Sequence, residues 1–516
     1  MVITLINRDL LKHGSELART RVKLGILTLS MLFLAFSIPS AFAQRPPCGP
    51  PTYPCSRIDT QVIVPDHPPQ LGDNPYYYGG HSGAGKTAVD PAYGNAILRA
   101  TDGNMANGES FNTGASAEKN PWSYDEQLFL AHNETQQLCL FQFEPAQFQS
   151  TFHGCFGNFG RGGGADFGYT QADNRAFYNF LHGKLYRFVV NTSSWTIAAD
   201  PAFNGGKGFF DLDNPNCLNG QIAANNWTTH DHGLSSDDST IVVAVGPKQD
   251  ADPYFVVWNM TKGCQWLNVK TWQTSQGWNT GLKNPVNISW VNGEKPSSAG
   301  GIHNAQLDRS GTYGVLAVHN TGLKRKMFWT FGTNIVDATC KECYSHWACD
   351  YGVCFWNFQQ KTAYDMRNVA IGKPDGEPDM FAKDALNLWN IDEHASHANA
   401  APGVKNMYLA SWQKKGATNI TEVWENEITG ISWDGSQRTV RFNKHWNSQQ
   451  GGFWTSPRCS ISHQGHYAIC SSDFQMYNMD KGFGNGKNED TCDHRLPAAM
   501  RGTNGCRTDL LVYELR

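Results

Sequence analysis

The feature that most constrains this chain is a recurring strand–turn–strand unit followed by a short third strand. The clearest copy is Trp227–Val245, WTTHDHGLSSDDSTIVVAV, in which a polar turn at Ser235–Asp238 separates two strand-like runs. Such an arrangement of β-branched runs around Ser and Asp predicts a hairpin. The same shape recurs at Trp122–Leu130, Phe167–Tyr178, His303–Val318, His397–Ala410 and Arg458–Cys470. Six third strands follow in step: Leu140–Phe143, Leu185–Phe188, Val257–Met260, Phe355–Phe358, Val423–Asn426 and Val512–Leu515. Fourth strands are expected at 195–197, 266–269 and 428–431. A multi-strand unit repeated down a chain marks a propeller or a solenoid.

The choice between the two rests on the chain ends. Ala96–Thr101 reads as a strand without a hairpin of its own, and the last unit ends at Leu515 without a fourth strand. If the early strand completes the late sheet, the repeats close into a ring with only short, protected edges. A solenoid would need polar caps, and none is evident. The expected fold is therefore all-β: a β-propeller of six or seven blades over 96–516, closed by an N-terminal strand, with residues 44–110 able to hold a divergent blade. The shortest interval between third strands, Phe141 to Tyr186, matches a bare blade of about 40–45 residues. Longer intervals carry inserted loops, the largest around 320–350 and 475–505.

Residues 1–43 predict a secretory signal: Arg19, Arg21 and Lys23, then the apolar run Leu24–Ile38, then Ala41-Phe42-Ala43 as a cleavage site. A single membrane anchor is the other reading, for which the run is short. All 14 cysteines follow this leader, so disulfides are expected, with Cys459–Cys470, Cys139–Cys155 and Cys48–Cys55 well spaced for pairing. The cluster Cys340, Cys343, Cys349 and Cys354 admits a zinc knot, but an oxidising compartment favours two disulfides. The protein is expected to be secreted, periplasmic or on the cell surface, with no membrane association once the signal is cleaved. A net charge of -4 gives no electrostatic case for nucleic acid.

Residues 44–95 form a Pro/Gly/Tyr-rich, irregular arm. Within it Gly80–Thr87 (GHSGAGKT) matches the P-loop expression, yet Pro91 opposes the helix that phosphate binding needs, and no nucleotide is expected. Ser456-Pro457, Ser460–Gly465 and Ser471-Ser472-Asp473 together resemble the repeat core of exported WD-like (TolB-type) β-propellers, with His463-Gln464 where Pro-Asp is usual. The resemblance covers about 95–516 and implies fold, not activity. A looser likeness to propeller polysaccharide lyases rests on histidines at the mouth of the ring.

The inner strands of a propeller line its axis, so histidines at the entries of consecutive units can converge. His230 and His232, His303, and His394 with His397 occupy such entries, and residues i and i+2 of a strand share a face. Together they are candidate ligands for a divalent ion (calcium, manganese or zinc), with Asp231, Asp392 and Glu393 as orienting groups. On an extracellular polysaccharide, the expected catalytic reading is β-elimination of a uronate: His303 or His397 as base, and the metal or Arg458 stabilising the enolate-like charge. Trp227, Trp446 and Trp454 can stack on sugars or simply pack between strands. A sialidase-type Asp-box and a G-x-S-x-G elbow are both absent, and six N-x-S/T sequons are near chance. The competing reading is a non-catalytic propeller that binds glycan or an envelope protein, which asks nothing of the histidines.

Overall fold

The fold begins with one turn used repeatedly. In the unit at Ser123–Leu128 the Ser123 hydroxyl accepts the N–H of Leu128 at 2.9 Å, and in the unit at Ser235–Thr240 Ser235 accepts the N–H of Thr240 at 3.0 Å. Ser462 does the same for Tyr467 at 3.0 Å, and Asp308 accepts the N–H groups of Thr312 and Tyr313 at 2.9 and 2.7 Å. Each turn passes through the left-handed region at its fourth residue: Glu126 (φ 59), Asp238 (φ 59), Gly311 (φ 70) and Gly465 (φ 73). Where that residue is acidic, its carboxylate reaches the neighbouring unit's turn. Asp238 accepts from the backbone of Tyr169 and Thr170 at 2.7 and 3.0 Å, and Glu126 from Ser462 Oγ and Gln464 N at 2.6 and 2.9 Å. Local turn chemistry thus also joins one repeat to the next.

The computed structural model describes residues 56–59, 61–63, 69, 71, 83–90, 92–106, 109–113, 119–158, 165–248, 250–290, 300–320, 323–329, 331–332, 334–337, 348–350, 353–357, 362–365, 394–396, 407–411, 426–432, 439–446, 457–472 and 508–515. All belong to the compact unit Cys48–Arg516. Among them the strands form seven sheets. Blade one pairs Phe111–Asn112, Leu128–Asn133, Gln137–Glu144 and Gln149–Asn158 in order. Blade two pairs Asp166–Phe167, Ala176–Leu181, Lys184–Asn191 and Thr196–Ala199. Blade three begins Thr228–Leu234, Thr240–Gly246, Tyr254–Asn259 and Gly263–Asn268. Blade four begins Gly301–Leu307, Gly314–Asn320, Leu323–Trp329 and Asn334–Asp337. A three-stranded sheet spans 348–365, and His394–Ser396, Met407–Ser411, Glu427–Ser432 and Thr439–Lys444 make the next blade.

The last sheet shows how the propeller closes. Ser460–Ile461, Tyr467–Ser472 and Asp509–Glu514 continue directly onto Ala96–Arg99, with Ile97 opposite Tyr513 and Arg99 opposite Leu511. Thr87–Val89 then adds a fifth strand, so part of the expected irregular arm belongs to this sheet. Thr87 therefore opens a strand, not a helix, and the N–H groups of Gly83 and Ala84 donate to Asp102 at 2.9 and 3.0 Å. At the seam Arg99 pairs with Asp509 at 2.6 Å, both side chains fully buried. Gly83 is required there, since a Cβ would lie 2.4 Å from Arg99 Nη1.

In blade one both faces of the sheet are buried, against different neighbours. Phe129, Ala131, Phe141 and Phe143 pack with Tyr467, Ile469 and Val512 of the closing blade. The alternate residues Leu128, Leu130, Leu138 and Leu140 pack with Phe167, Phe177 and Phe188 of blade two. Period-two alternation here separates two neighbours rather than core from solvent.

Several sequence expectations are corrected. The third strand of blade four is Leu323–Trp329, not Phe355–Phe358, whose residues Phe355–Asn357 lie in the separate three-stranded sheet. The cationic run Lys324-Arg325-Lys326 hid the true strand. Ile428–Ile431, expected as a fourth strand, lies in the third, Glu427–Ser432; Thr439–Lys444 is the fourth. An additional three-stranded sheet lies at 348–365, and the described strands within 44–110, Thr87–Val89 and Ala96–Arg99, belong to the closing sheet. Trp122 meets Phe129 in a single bridge, and Phe111–Asn112 supplies the inner strand of blade one.

Cys139–Cys155 and Cys459–Cys470 are disulfides with Cα separations of 4.0 and 4.2 Å. A third, Cys217–Cys264 at 5.4 Å, ties the loop insertion between blades two and three to the fourth strand of blade three. Cys48–Cys55 and the large insertions around 340 and 475–505 fall outside the described residues or their described side chains. No described helix is long and apolar enough to cross a membrane.

The seam makes a sharp test. Asp509→Ala leaves the Arg99 guanidinium buried without its carboxylate, which costs about 3–5 kcal/mol. A chemical denaturation curve should show that loss; an unchanged midpoint would mean the N-terminal strand does not close the last sheet.

Candidate functional site

A bulge decides where the histidines go. In the inner hairpin of blade three His230 lies opposite Ala244 while His232 lies opposite Val243, so Asp231 is an extra residue in the strand. The inserted residue reverses the side-chain alternation, and the i, i+2 rule fails across it. His232 consequently points to the blade-two side with Val243, where its ring meets Phe180 edge to face at 5.9 Å. His230 falls on the opposite face of the strand, beside Ala244. The expected chelating pair is separated.

His232 belongs to a buried charge cluster. Its Nε2 contacts Asp166 Oδ2 of blade two at 3.1 Å. Lys119, in the segment leading into blade one, places Nζ 3.0 Å from Asp231 and 3.9 Å from Asp166, and donates to the His232 carbonyl. Asp231 Oδ2 accepts the N–H of Ala305 in blade four at 2.8 Å, and Asp166 Oδ1 that of Asn120 at 2.6 Å. Burial raises the Asp166 pKa, but the charges of Lys119 and His232 outweigh it and bring the group to about 2. Burial, reinforced by Lys119, lowers the His232 pKa. An ammonium thus stands between two carboxylates where the sequence suggested a metal ion. The cluster joins the first four blades by charge.

His230 and His303 lie elsewhere. His230 Nδ1 contacts Asp252 Oδ2 at 2.8 Å, a bent contact rather than a linear hydrogen bond, and its Nε2 lies 2.9 Å from Thr228 Oγ1. His303 is itself a bulge residue, between Ile302 opposite Val318 and Asn304 opposite Ala317, and its Nδ1 meets Asp250 Oδ1 at 2.6 Å. Counted from the hairpin turns, the blade-four residue matching His232 is Ala305. Arg458 is fully buried beside blade one, where Thr113 Oγ1 donates to its carbonyl at 2.9 Å. Burial first, then Arg458, lowers His132 to about 4.

His394 opens its strand opposite Ser411, while His397, Asp392, Glu393 and Trp454 lie outside the described residues. Trp446 is core, packed at 1% exposure. Among the described residues no three ligating groups converge as a metal would need, and the nitrogens of His230 already face Asp252 and Thr228. The described candidates therefore do not fit a shared ion.

The open space nearby is a cavity of about 900 Å³ between blades two and three. Its walls include Phe180 and His182 from blade two, Thr228, Thr229 and His230 from blade three, Lys248, and the insertion residues Asp213, Asn226 and Trp227. That insertion is built rigidly. Asp213 accepts the N–H groups of Ile222 and Ala223, both at 2.7 Å, at the start of the short helix Gln221–Asn225, and Cys217–Cys264 anchors it to blade three. Trp227, set against Tyr254 at 5.9 Å, is half-buried and faces this space.

Of the residues named from the sequence, Trp227 and His230 line this space and His303 does not; Lys119, Asp166 and Thr228 lack any motif and were not named. Asp250 and Asp252, in D-A-D-P after a second strand, carried the best unused signal.

No protein-family model matches the chain, and no curated protein matches it. Among solved structures, an oligogalacturonate lyase from Vibrio parahaemolyticus is similar at 10% identity and TM-score 0.47, over 83% of this chain and 96% of that one. The Dos1 propeller is similar at 9% identity and TM-score 0.36, over 84% and 92%. The fold assignment rests on the strand pairing described above.

The charge cluster has a pH signature. The folded pKa of Asp166 is about 2 against an ordinary 3.8, so its contribution is complete above pH 4 and is lost as pH falls toward 2. His232, with a depressed pKa, adds acid sensitivity below its ordinary 6.5. Stability measured from pH 7 to 2 should fall in these windows, and Asp166→Asn should abolish the lower one. A variant with the wild-type slope between pH 4 and 2 would remove Asp166 from the account.

Proposed function

We propose that the protein is a secreted propeller that binds an acidic polysaccharide in the cavity between blades two and three. The observation that carries this reading is the lining: a half-buried Trp beside the polar side chains of Thr228, Thr229, Asn226, Lys248 and the two imidazoles. A volume of about 900 Å³ is at the upper end of ordinary ligand sites, roughly 300–1,000 Å³. An aromatic face suits the C–H face of a pyranose, and hydroxyl and amide groups suit its rim.

Charge narrows the class. The Asp213 carboxylate is engaged by two helix N–H groups, which leaves Lys248 as the cationic chain lining the space. A uronate carboxylate is its natural complement. Three disulfides among the described cysteines, and the leader read from residues 1–43, support an extracellular setting. Binding is better supported than elimination, because the described contacts hold His303 on Asp250 and Arg458 beside blade one.

Calorimetry against a panel of polyuronates and neutral glucans checks this. The polyuronates should bind, and Trp227→Ala should weaken binding by about tenfold or more, equal to about 1.4 kcal/mol. Lys248→Met should erase the preference for the acidic polymer. Equal binding by wild type and Trp227→Ala would move the site elsewhere.

A further inference from the structure

One group that touches the lining of this cavity, through His230, is not used by binding alone. Asp252 is fully buried, and neither carboxylate oxygen has a linear hydrogen-bond donor; what faces Oδ2 is Nδ1 of His230 at 2.8 Å. Burial raises the Asp252 pKa, and His230 counters it. A buried carboxylate is tolerated when a partner offsets its desolvation, and here the partner is an imidazole. A carboxylate only accepts, so the proton of His230 resides on Nδ1 and Nε2 presents a lone pair. Thr228 Oγ1 stands 2.9 Å from that lone pair and is exposed in the cavity wall. Thr228 and His230 share a face, because the bulge begins only after His230.

We propose that Thr228, His230 and Asp252 form a hydroxyl–imidazole–carboxylate relay that hydrolyses acyl esters carried on the bound glycan. The residue types, order of contact and distances are those of an activated nucleophile, its base and the group that orients the base. A bent contact between base and orienting group is usual before substrate binds. In the first step Thr228 Oγ1 bonds to the ester carbonyl carbon, its proton passes to His230 Nε2, and the carbonyl–oxygen bond to the sugar breaks. The sugar hydroxyl leaves with that proton. In the second step water gives a proton to Nε2 and attacks the acyl-threonine carbon, releasing the carboxylic acid and returning the proton to Thr228. Asp252 steadies the imidazolium in both steps and is not itself protonated. The glycan as carrier of the ester rests on the preceding reading; the relay does not.

The test uses full-length protein from a bacterial host, so that Asn226, which opens an N-x-T sequence with Thr228, stays unmodified. Release of acetate from an O-acetylated polyuronate and of chromophore from p-nitrophenyl acetate is followed beside polyuronate binding. Wild type should hydrolyse both, His230→Gln and Thr228→Ala should lose roughly 10²–10⁴-fold in rate, and Thr228→Ser should recover most of it. A fluorophosphonate should add to wild type at Thr228 and not to Thr228→Ala, and polyuronate binding is read on the wild type in the same preparation. Binding without hydrolysis or adduct in the wild type would overturn the relay and leave the binding reading standing. Hydrolysis of the chromogenic ester without polyuronate binding would support the relay and overturn the glycan. Equal rates for wild type and Thr228→Ala would overturn the assignment of the nucleophile.

Discussion

Burial on both faces, as in blade one, is the constraint from which the rest follows. A strand such as Leu128–Asn133 sends Phe129 and Ala131 to one neighbour and Leu128 and Leu130 to the other. No blade can satisfy both faces alone, so each needs a blade on either side, and the series ends only when the last meets the first. At about 25 cal/mol per Å² of apolar area, each large side chain in these interfaces contributes roughly 1.5–3 kcal/mol. That contribution is non-directional. Direction comes from the turn carboxylates of Glu126 and Asp238, which register one blade against the next through backbone N–H groups.

Near the inner strands, where four blades crowd polar residues together, the same logic produces a charge cluster in place of an apolar plug. Lys119, Asp166, Asp231 and His232 come from three different blade regions, and Asp231 is positioned by an extra residue in its strand. Such a cluster is a poor source of net stability but a good determinant of arrangement, since shifting one blade by a residue would strand a buried charge. The bulge at Asp231 thereby does two things. It aims the carboxylate at Lys119 and leaves His230 on the face opposite His232, beside Asp252 and Thr228.

The sequence exposed the architecture through patterns that are local: turn serines, β-branched runs and an orphan strand at 96–101. Closure of the last sheet by that strand followed from those patterns, and two of the three disulfides among the described residues from cysteine spacing. What escaped was information carried by register. Counting positions from the turns cannot detect an inserted residue, so His230 and His232 looked like neighbours on one face, and His303 looked like their equivalent. A strand with three cations in succession, Lys324 to Lys326, lacks the apolar pattern by which the other third strands show themselves. Lys119 had no signal at all, since a single lysine in a loop is most often solvated.

Pairing Ile97 with Tyr513 has a consequence for how the molecule comes into being. During synthesis, more than four hundred residues separate the emergence of one partner from that of the other. Throughout that interval Ala96–Arg99 is a strand edge awaiting its mate, and such edges invite pairing with other chains. Maturation therefore hinges on a single late, long-range event rather than on steady growth from one end. Slow release of soluble protein, and sensitivity to anything that sequesters the early edge, are the behaviours to look for in its biogenesis.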